Sequence, residues 1–269
     1  REARVRAIIK ILMTADGFRF DGETDLLVSN NPRCIGWRVR AEEIDARHEL
    51  MIAARANDPE HPAEVIGNKE LLSKRVSPSS TIKVALALMA LQEKVIDLKS
   101  AYVCADRTSM PSPLTLKQAM DLSSNEFFEE LTMNLGIPRL ESYLGRWKYF
   151  PLTEKTLPTP PRIARGKAFL VSPQDQLVFL SRLSQRKVEG VSQPAYDLLD
   201  QVLAQPERPG LFGKTGSDRE GAWFIAYSRD PATPFIYVLR SDIPNRDGKH
   251  LKKLLLNHLK KNAGTNVKN

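Results

Sequence analysis

Cysteine is almost missing from this chain of 269 residues: only Cys34 and Cys104 occur. They are too few for a disulfide scaffold and wrongly spaced for a zinc site. Long apolar runs are missing too. No stretch approaches the ~18 apolar residues that a membrane-spanning helix needs, and no signal-peptide pattern follows Arg1. An initiator Met is also lacking, which leaves room for a removed targeting or anchoring segment. The absence of internal repeats and low-complexity tracts excludes solenoids and compositionally driven disorder.

What is present is balance. Hydrophobic residues make up 42% and charged residues 27%, which is the composition of a folded body with a large core. The formal net charge of +8 would suit an anionic partner, yet the Lys and Arg residues are spread among Asp and Glu. No aromatic and basic platform for nucleic acid stands out, so a solvated basic surface and no nucleic-acid partner are expected. The densest basic run interleaves Lys249, Lys252, Lys253, Lys260 and Lys261 with Leu251, Leu254, Leu255 and Leu259. That pattern predicts a C-terminal amphipathic helix with a basic outer face.

Apolar spacing predicts an N-terminal helix over Ala3 to Met13 and strands at Ile35 to Val39 and Leu50 to Ala54, with the sheet beginning there. Ser80 to Gln92, introduced by Pro78, is hydrophobic on nearly every side and predicts a helix buried all round. Two helical segments follow between Leu114 and Gly136, where Gly136 and Pro138 supply a stop signal. Pro151, Pro158, Pro160 and Pro161 exclude regular helix and central strand and predict an irregular loop. One helical region is expected from about Pro173 to Leu203. A strand from Lys214 and a hairpin through Trp223 to Tyr227 and Phe235 to Leu239, turning at Pro231 and Pro234, complete the chain before the last helix. Strands near both ends with helices between them predict an α+β fold: a central antiparallel sheet flanked by terminal helices, with a mostly helical insertion. The expected division is a lead-in over 1–44 and a catalytic domain over 45–269. Its α/β part is drawn from 45–75 and 205–269, and its helical part from 76–204.

Three short motifs carry possible chemistry. Ser80-Thr81-Ile82-Lys83 puts a hydroxyl and an amine three residues apart on one helical face. A serine hydroxyl becomes a good nucleophile when a neighbour takes its proton, and a lysine does so only if burial or a second cation lowers its pKa. Ser123-Ser124-Asn125 places a hydroxyl and a carboxamide together, a pair able to relay a proton and hold an amide. In Lys214-Thr215-Gly216, Lys214 adds positive potential, Thr215 offers a hydroxyl to a carboxylate, and Gly216 lets a substrate backbone approach the strand. Taken singly these read as a helix cap, a helix start and a strand end. Their conjunction, in this order and on these element types, carries the argument.

The triplet Ser-x-x-Lys, Ser-x-Asn, Lys-Thr-Gly resembles the penicillin-recognising serine enzymes, namely penicillin-binding proteins and serine β-lactamases. Within them the chain is most similar to class D β-lactamases and related sensor domains. The matching text includes Val76 to Lys83, Leu170-Val171-Ser172-Pro173, Gly213 to Gly216, Ser241-Asp242-Ile243-Pro244 and Asp247-Gly248. The resemblance implies Ser80 as nucleophile, Lys83 as general base and Ser123 as proton shuttle. Asn125 would hold the substrate amide, and Lys214, Thr215 and Lys252 its carboxylate. The backbone N–H groups of Ser80 and Ser217 would form the oxyanion hole. Lys252 falls where class D enzymes commonly carry an Arg, and keeps the charge without the bidentate fork. The expected partner is a β-lactam or a peptidoglycan stem peptide, met outside the cytoplasm, with no cofactor beyond a CO2-derived carboxylation of Lys83.

Three departures bear on turnover. Asn125 stands where class D enzymes usually have an aliphatic residue. Tyr149-Phe150-Pro151 replaces a Tyr-Gly-Asn motif. Arg162 to Gly166 lacks the Trp that shields a carboxylated lysine, the group that activates the hydrolytic water in class D. Glu154 lies in the loop where class A enzymes keep a hydrolytic glutamate, in surroundings that do not match. The resemblance thus leaves three outcomes after acylation: hydrolysis by a class D-like β-lactamase, peptidase or transpeptidase action, or a sensor that acylates once.

Overall fold

The computed structural model describes residues 24–27, 36–39, 43–107, 110–147, 159–229 and 235–265. The N-terminal helix expected over Ala3 to Met13, Cys34, the Tyr149 to Pro151 stretch, Glu154, Pro158 and the turn at Pro231 and Pro234 lie outside them. The chain divides into Arg1–Glu43 and Ile44–Asn269. In the first unit, β1 (Thr24–Leu27) and β2 (Gly36–Val39) pair antiparallel as a two-stranded sheet of their own. The expectation that the main sheet begins at Ile35 to Val39 is therefore corrected.

The second unit contains an antiparallel five-stranded sheet in the order β4-β3-β9-β8-β7. Its strands are β3 (Glu49–Arg55), β4 (Glu64–Gly67), β7 (Leu211–Asp218), β8 (Gly221–Ser228) and β9 (Phe235–Ser241). Sequence-distant segments meet where Met51 lies opposite Leu239, and the β7–β8 hairpin sets Lys214 opposite Ile225. Both faces are covered, which is why β3 and β8 read as continuous apolar runs rather than alternating ones. Leu50, Ile52 and Ala54 join the core on one side, while Met51 and Ala53 join the core on the other. That second face is closed by α8 (Gly248–Thr265), through Leu251, Leu254 and Leu255. Its Lys249, Lys253, Lys260 and Lys261 are exposed, as the amphipathic pattern predicts.

Helices fill the other side. At their centre is α1 (Ile82–Gln92), with every residue from Ile82 to Leu91 buried, Lys83 among them. Around it stand α2 (Leu116–Leu122), α3 (Asn125–Leu135), α4 (Ile137–Trp147), α5 (Pro160–Ala164), α6 (Pro173–Ser184) and α7 (Gln193–Leu203). Thr115 with Gln118 and Ser172 with Asp175 form capping boxes that start α2 and α6. A small hairpin of β5 (Ala101–Cys104) and β6 (Ser112–Thr115) precedes α2.

Proline accounts for two differences from expectation. Gly136, at φ 78°, ends α3 as predicted, but α4 starts at the next residue with Pro138 in its first turn. Pro160 and Pro161 likewise open α5, although a loop is expected there. A first-turn N–H has no helical partner, so proline gives up nothing at that position. The single helical region from Pro173 to Leu203 is two helices, parted where Arg186 and Gly190 take positive φ.

The sheet and helices are pinned together at Asp200 of α7. Its carboxylate accepts from Arg229 Nε at 2.7 Å and Nη2 at 3.0 Å, from Arg186 Nη2 at 3.1 Å and from the Tyr227 hydroxyl at 2.6 Å. Burial, then the Asp200 charge, pushes the Tyr227 phenol well above its ordinary range, so it remains a donor. Asp200→Ala leaves two guanidinium groups and that hydroxyl without their shared acceptor. It is expected to cost about 3 kcal/mol of stability, read from the urea midpoint of unfolding.

Candidate active site

The site starts at the turn that leads into α1. Pro78 O accepts from Thr81 N at 3.1 Å and from Thr81 Oγ1 at 2.7 Å, closing a tight helical turn over Ser79–Thr81. Surrounding elements hold this turn on several sides. Val76 pairs with Val171, Trp223 Nε1 donates to Ser77 O at 2.9 Å, and Gln176 Nε2 donates to Thr81 Oγ1 at 3.0 Å. Ser79 takes a left-handed φ of 49°, uncommon for a residue with a side chain, and its hydroxyl donates to Asp218 Oδ2 at the end of β7. Ser80 is half-buried beside it. Two glycines make the packing possible. A Cβ on Gly166 would come within 2.5 Å of Ser79 O, and one on Gly216 within 3.2 Å of Pro78 O.

Lys83 lies one turn along, on the same face as Ser80. Its side chain is fully enclosed, with Nζ 5.3 Å from the centre of the Phe128 ring. Nζ donates to Ser123 O at 2.8 Å and to Asn125 Oδ1 at 2.9 Å, and lies 3.4 Å from Ser123 Oγ. Burial, followed by the nearby charges of Lys214 and Arg107, pulls its pKa down to about 6. At neutral pH it is mostly an uncharged amine with a free lone pair, which is the form that accepts a proton.

The α2–α3 junction presents Ser123 and Asn125. Ser123 ends α2 in the left-handed region, at φ 55° and ψ 41°, while Ser124 caps α3 by accepting from Phe127 N at 3.1 Å. Asp106 fastens this corner: its carboxylate accepts from Ser124 Oγ at 2.7 Å and from Asn125 N at 2.6 Å. These bonds to the ionised form outweigh partial burial and keep the Asp106 carboxyl below its usual range.

From the opposite side comes β7, the edge strand of the sheet. Lys214 Nζ donates to Ser123 Oγ at 3.1 Å and to Thr215 O at 3.0 Å. Burial lowers the Lys214 pKa to about 7, with Asp121 opposing that shift and Arg107 adding to it. Thr215 is half-buried, Gly216 lies against the serine turn, and Ser217 Oγ accepts from Gly248 N at 2.8 Å.

Three distant segments thus converge on the Ser123 hydroxyl, which is bracketed by the two amines. Lys252 differs from the rest. It projects from α8, and its Nζ is held by Glu207 Oε1 at 2.8 Å rather than by the other site residues. Three residues carry no signal in the sequence: Asp106, which fastens the Ser123 corner, Arg107, whose charge reaches both buried lysines, and Asp218, which ties β7 to the serine turn. An acid beside an arginine in a short turn is common, and only the fold shows what it faces.

Residues 45–259 match the family model described as the penicillin binding protein transpeptidase domain. The chain is 25% identical over 204 residues to the probable β-lactamase YbxI of Bacillus subtilis strain 168, covering 72% of this chain and 74% of that protein. It is 24% identical over 185 residues to the regulatory protein BlaR1 of Bacillus licheniformis, covering 65% of this chain but 30% of BlaR1. A solved class D β-lactamase from Bacillus subtilis shares the fold with a TM-score of 0.68 at 22% identity, over 79% of this chain and 90% of that one.

Keeping Lys83 neutral costs stability. The unfolded chain binds a proton at this lysine up to pH 10.5, whereas the folded chain releases it near 6, so the penalty is full below about 6, shrinks as pH rises from there and is gone above 10.5. At about 1.4 kcal/mol per pH unit, the burden at pH 7 exceeds the loss of the two hydrogen bonds. Lys83→Met is therefore expected to unfold about 1–3 kcal/mol later than the wild type at pH 7. The gap should close as the measurement approaches pH 10.

Proposed function

Because the chain belongs to the penicillin-binding-protein transpeptidase family over residues 45–259, we propose that it is a class D-like β-lactamase that takes the acyl group of a β-lactam onto Ser80. The observation that carries this reading is the buried Lys83 amine, neutral at pH 7 and one helical turn from that serine. In this reading Lys83 accepts the Ser80 proton as Oγ attacks the lactam carbonyl. Ser123, within reach of both lysines, relays a proton to the departing ring nitrogen. The backbone N–H groups of Ser80 and Ser217 receive the developing oxyanion. Thr215 and the charged form of Lys214 receive the substrate carboxylate, and Asn125 its amide. Hydrolysis of the ester then returns free enzyme. Such work belongs outside the cytoplasm, where β-lactams and peptidoglycan stems are met. No described helix is long and apolar enough to cross a membrane.

A second reading is favoured by the two hydrogen bonds of Lys83. Lys83 Nζ faces two acceptors, Ser123 O and Asn125 Oδ1. A neutral amine has two N–H groups for them, whereas a carboxylated lysine keeps a single N–H and leaves one acceptor unmet. The pocket therefore fits the amine better than the carbamate. Without a carbamate to activate water, the acyl-enzyme would persist, as a penicillin-binding protein or a sensor domain requires.

Intact mass after mixing with benzylpenicillin separates these outcomes. The adduct should form on the wild type and not on Ser80→Ala. Rapid return to free mass with accumulating penicilloate supports the lactamase, and an adduct lasting hours supports the second reading. Bicarbonate that speeds the return would restore the carbamate. The acylation rate should rise as pH passes through about 6, where Lys83 loses its proton, and decline above about 7 as Lys214 loses its charge. A rate that falls across pH 5 to 7 would exclude Lys83 as the base.

A further inference from the structure

Beside Lys214, a second cation that the resemblance sets against a substrate carboxylate already holds a carboxylate. Lys252 lies on α8 one turn beyond Gly248, so the two share a face. That face lies on the site strand, since a Cβ on Gly248 would come within 2.8 Å of Gly216 O and 3.0 Å of Thr215 Cβ. On it, Lys252 Nζ is bonded to Glu207 Oε1 at 2.8 Å.

Glu207 is not on a loose tether. Its loop, between α7 and β7, is stitched to the site strand: Gln205 N donates to Leu211 O at 2.9 Å, and Gln205 Nε2 donates to Gly213 O at 2.9 Å, beside Lys214. Leu211 N donates in turn to Arg208 O at 3.1 Å. The hydrogen bond from Lys252 and, more weakly, the charge of Lys117 hold the Glu207 carboxyl below its usual range. Lys117 belongs to α2, the helix that ends at Ser123, and is itself paired with Asp121 at 2.6 Å, so Lys252 is the cation that holds Glu207 directly. Its side chain is half-exposed at 50%, against 19% for Lys252. An ion pair so open to water is weak and exchangeable.

We propose that Glu207 is an internal carboxylate standing at Lys252 in place of the substrate's own, and that it thereby sets how strongly the site favours anionic acyl donors. Entry of a carboxylate-bearing substrate exchanges one acid for another at Lys252, with Glu207 turning outward to solvent while its loop stays on the strand. Lys214 is buried and committed to Ser123 and Thr215, so Lys252 is the cation whose occupancy can change as a carboxylate arrives. The inference rests on acylation of Ser80 by a carboxylate-bearing β-lactam, as proposed above.

The test compares second-order acylation constants for benzylpenicillin and its uncharged methyl ester, by quenched intact mass, in the wild type, Glu207→Gln, Lys252→Ala and the double variant. The acid-to-ester ratio is the readout, because a partly unfolded sample lowers both constants alike. Glu207→Gln should raise that ratio three- to tenfold, and the gain should vanish when Lys252 is also Ala. An unchanged or lowered ratio in Glu207→Gln, or a gain that survives without Lys252, overturns the proposal. A wild type that takes no adduct from benzylpenicillin sinks the acylation reading along with it, whereas normal wild-type acylation with an unmoved ratio sinks this inference alone.

Discussion

An amine sealed inside an apolar helix is the constraint around which this molecule is arranged. Nearly every side of α1 is buried, and Lys83 is enclosed with it. A charged ammonium there would have to be taken out of water without a counter-ion, so the group gives up its proton instead. The surroundings match that neutral state: two carbonyl acceptors for its N–H groups, an aromatic ring alongside, and a second amine sharing one hydroxyl. Asp106 is near enough to favour the charge, but its oxygens are committed to Ser124 and Asn125. The carboxylate whose charge favours the ammonium is thus also the one that positions the corner Lys83 touches.

Placement around that amine relies on close backbone approaches. The turn over residues 77–81 is fastened by Trp223, Gln176, Val171 and Asp218, and two positions where it meets neighbours are glycines. Ser79 and Ser123 both hold left-handed backbone despite carrying side chains. Such conformations persist where the surroundings over-determine them. A site fixed this way has little reorganisation left to undergo when a substrate arrives, which is where positioning contributes to rate.

Much of this was legible from the residues, and what was not has identifiable causes. The buried helix at Ile82 to Gln92, the β7 to β9 hairpins and the C-terminal helix announce themselves because apolar spacing and burial coincide. The helix α4 was hidden because Gly136 and Pro138 stop one helix and start the next with the same two residues. The short α5 was hidden by prolines that forbid a helix interior but suit its first turn. The strand β4 is half-buried, and the β5 and β6 hairpin is largely exposed, so neither carries a strong pattern. Motif order names Ser80, Lys83, Ser123, Asn125 and Lys214, and the last four lie within reach of one another in the fold. It does not name the pairing of Lys252 with Glu207, since nothing local links residues forty-five positions apart in sequence.

The formal charge of +8 is a poor guide to the electrostatics of the site. Of the cations near it, the two deepest, Lys83 and Lys214, are those that burial pushes toward neutrality. The charged ones stand further out, each beside an acid: Lys117 with Asp121 at 2.6 Å, Arg107 with Asp106 at 3.7 Å, and Lys252 with Glu207 at 2.8 Å. Positive potential is therefore partly offset at the rim and reduced at the floor. Net charge thus says little about the field an incoming group would meet there, because screened rim pairs that are open to water exchange locally and exert little long-range pull.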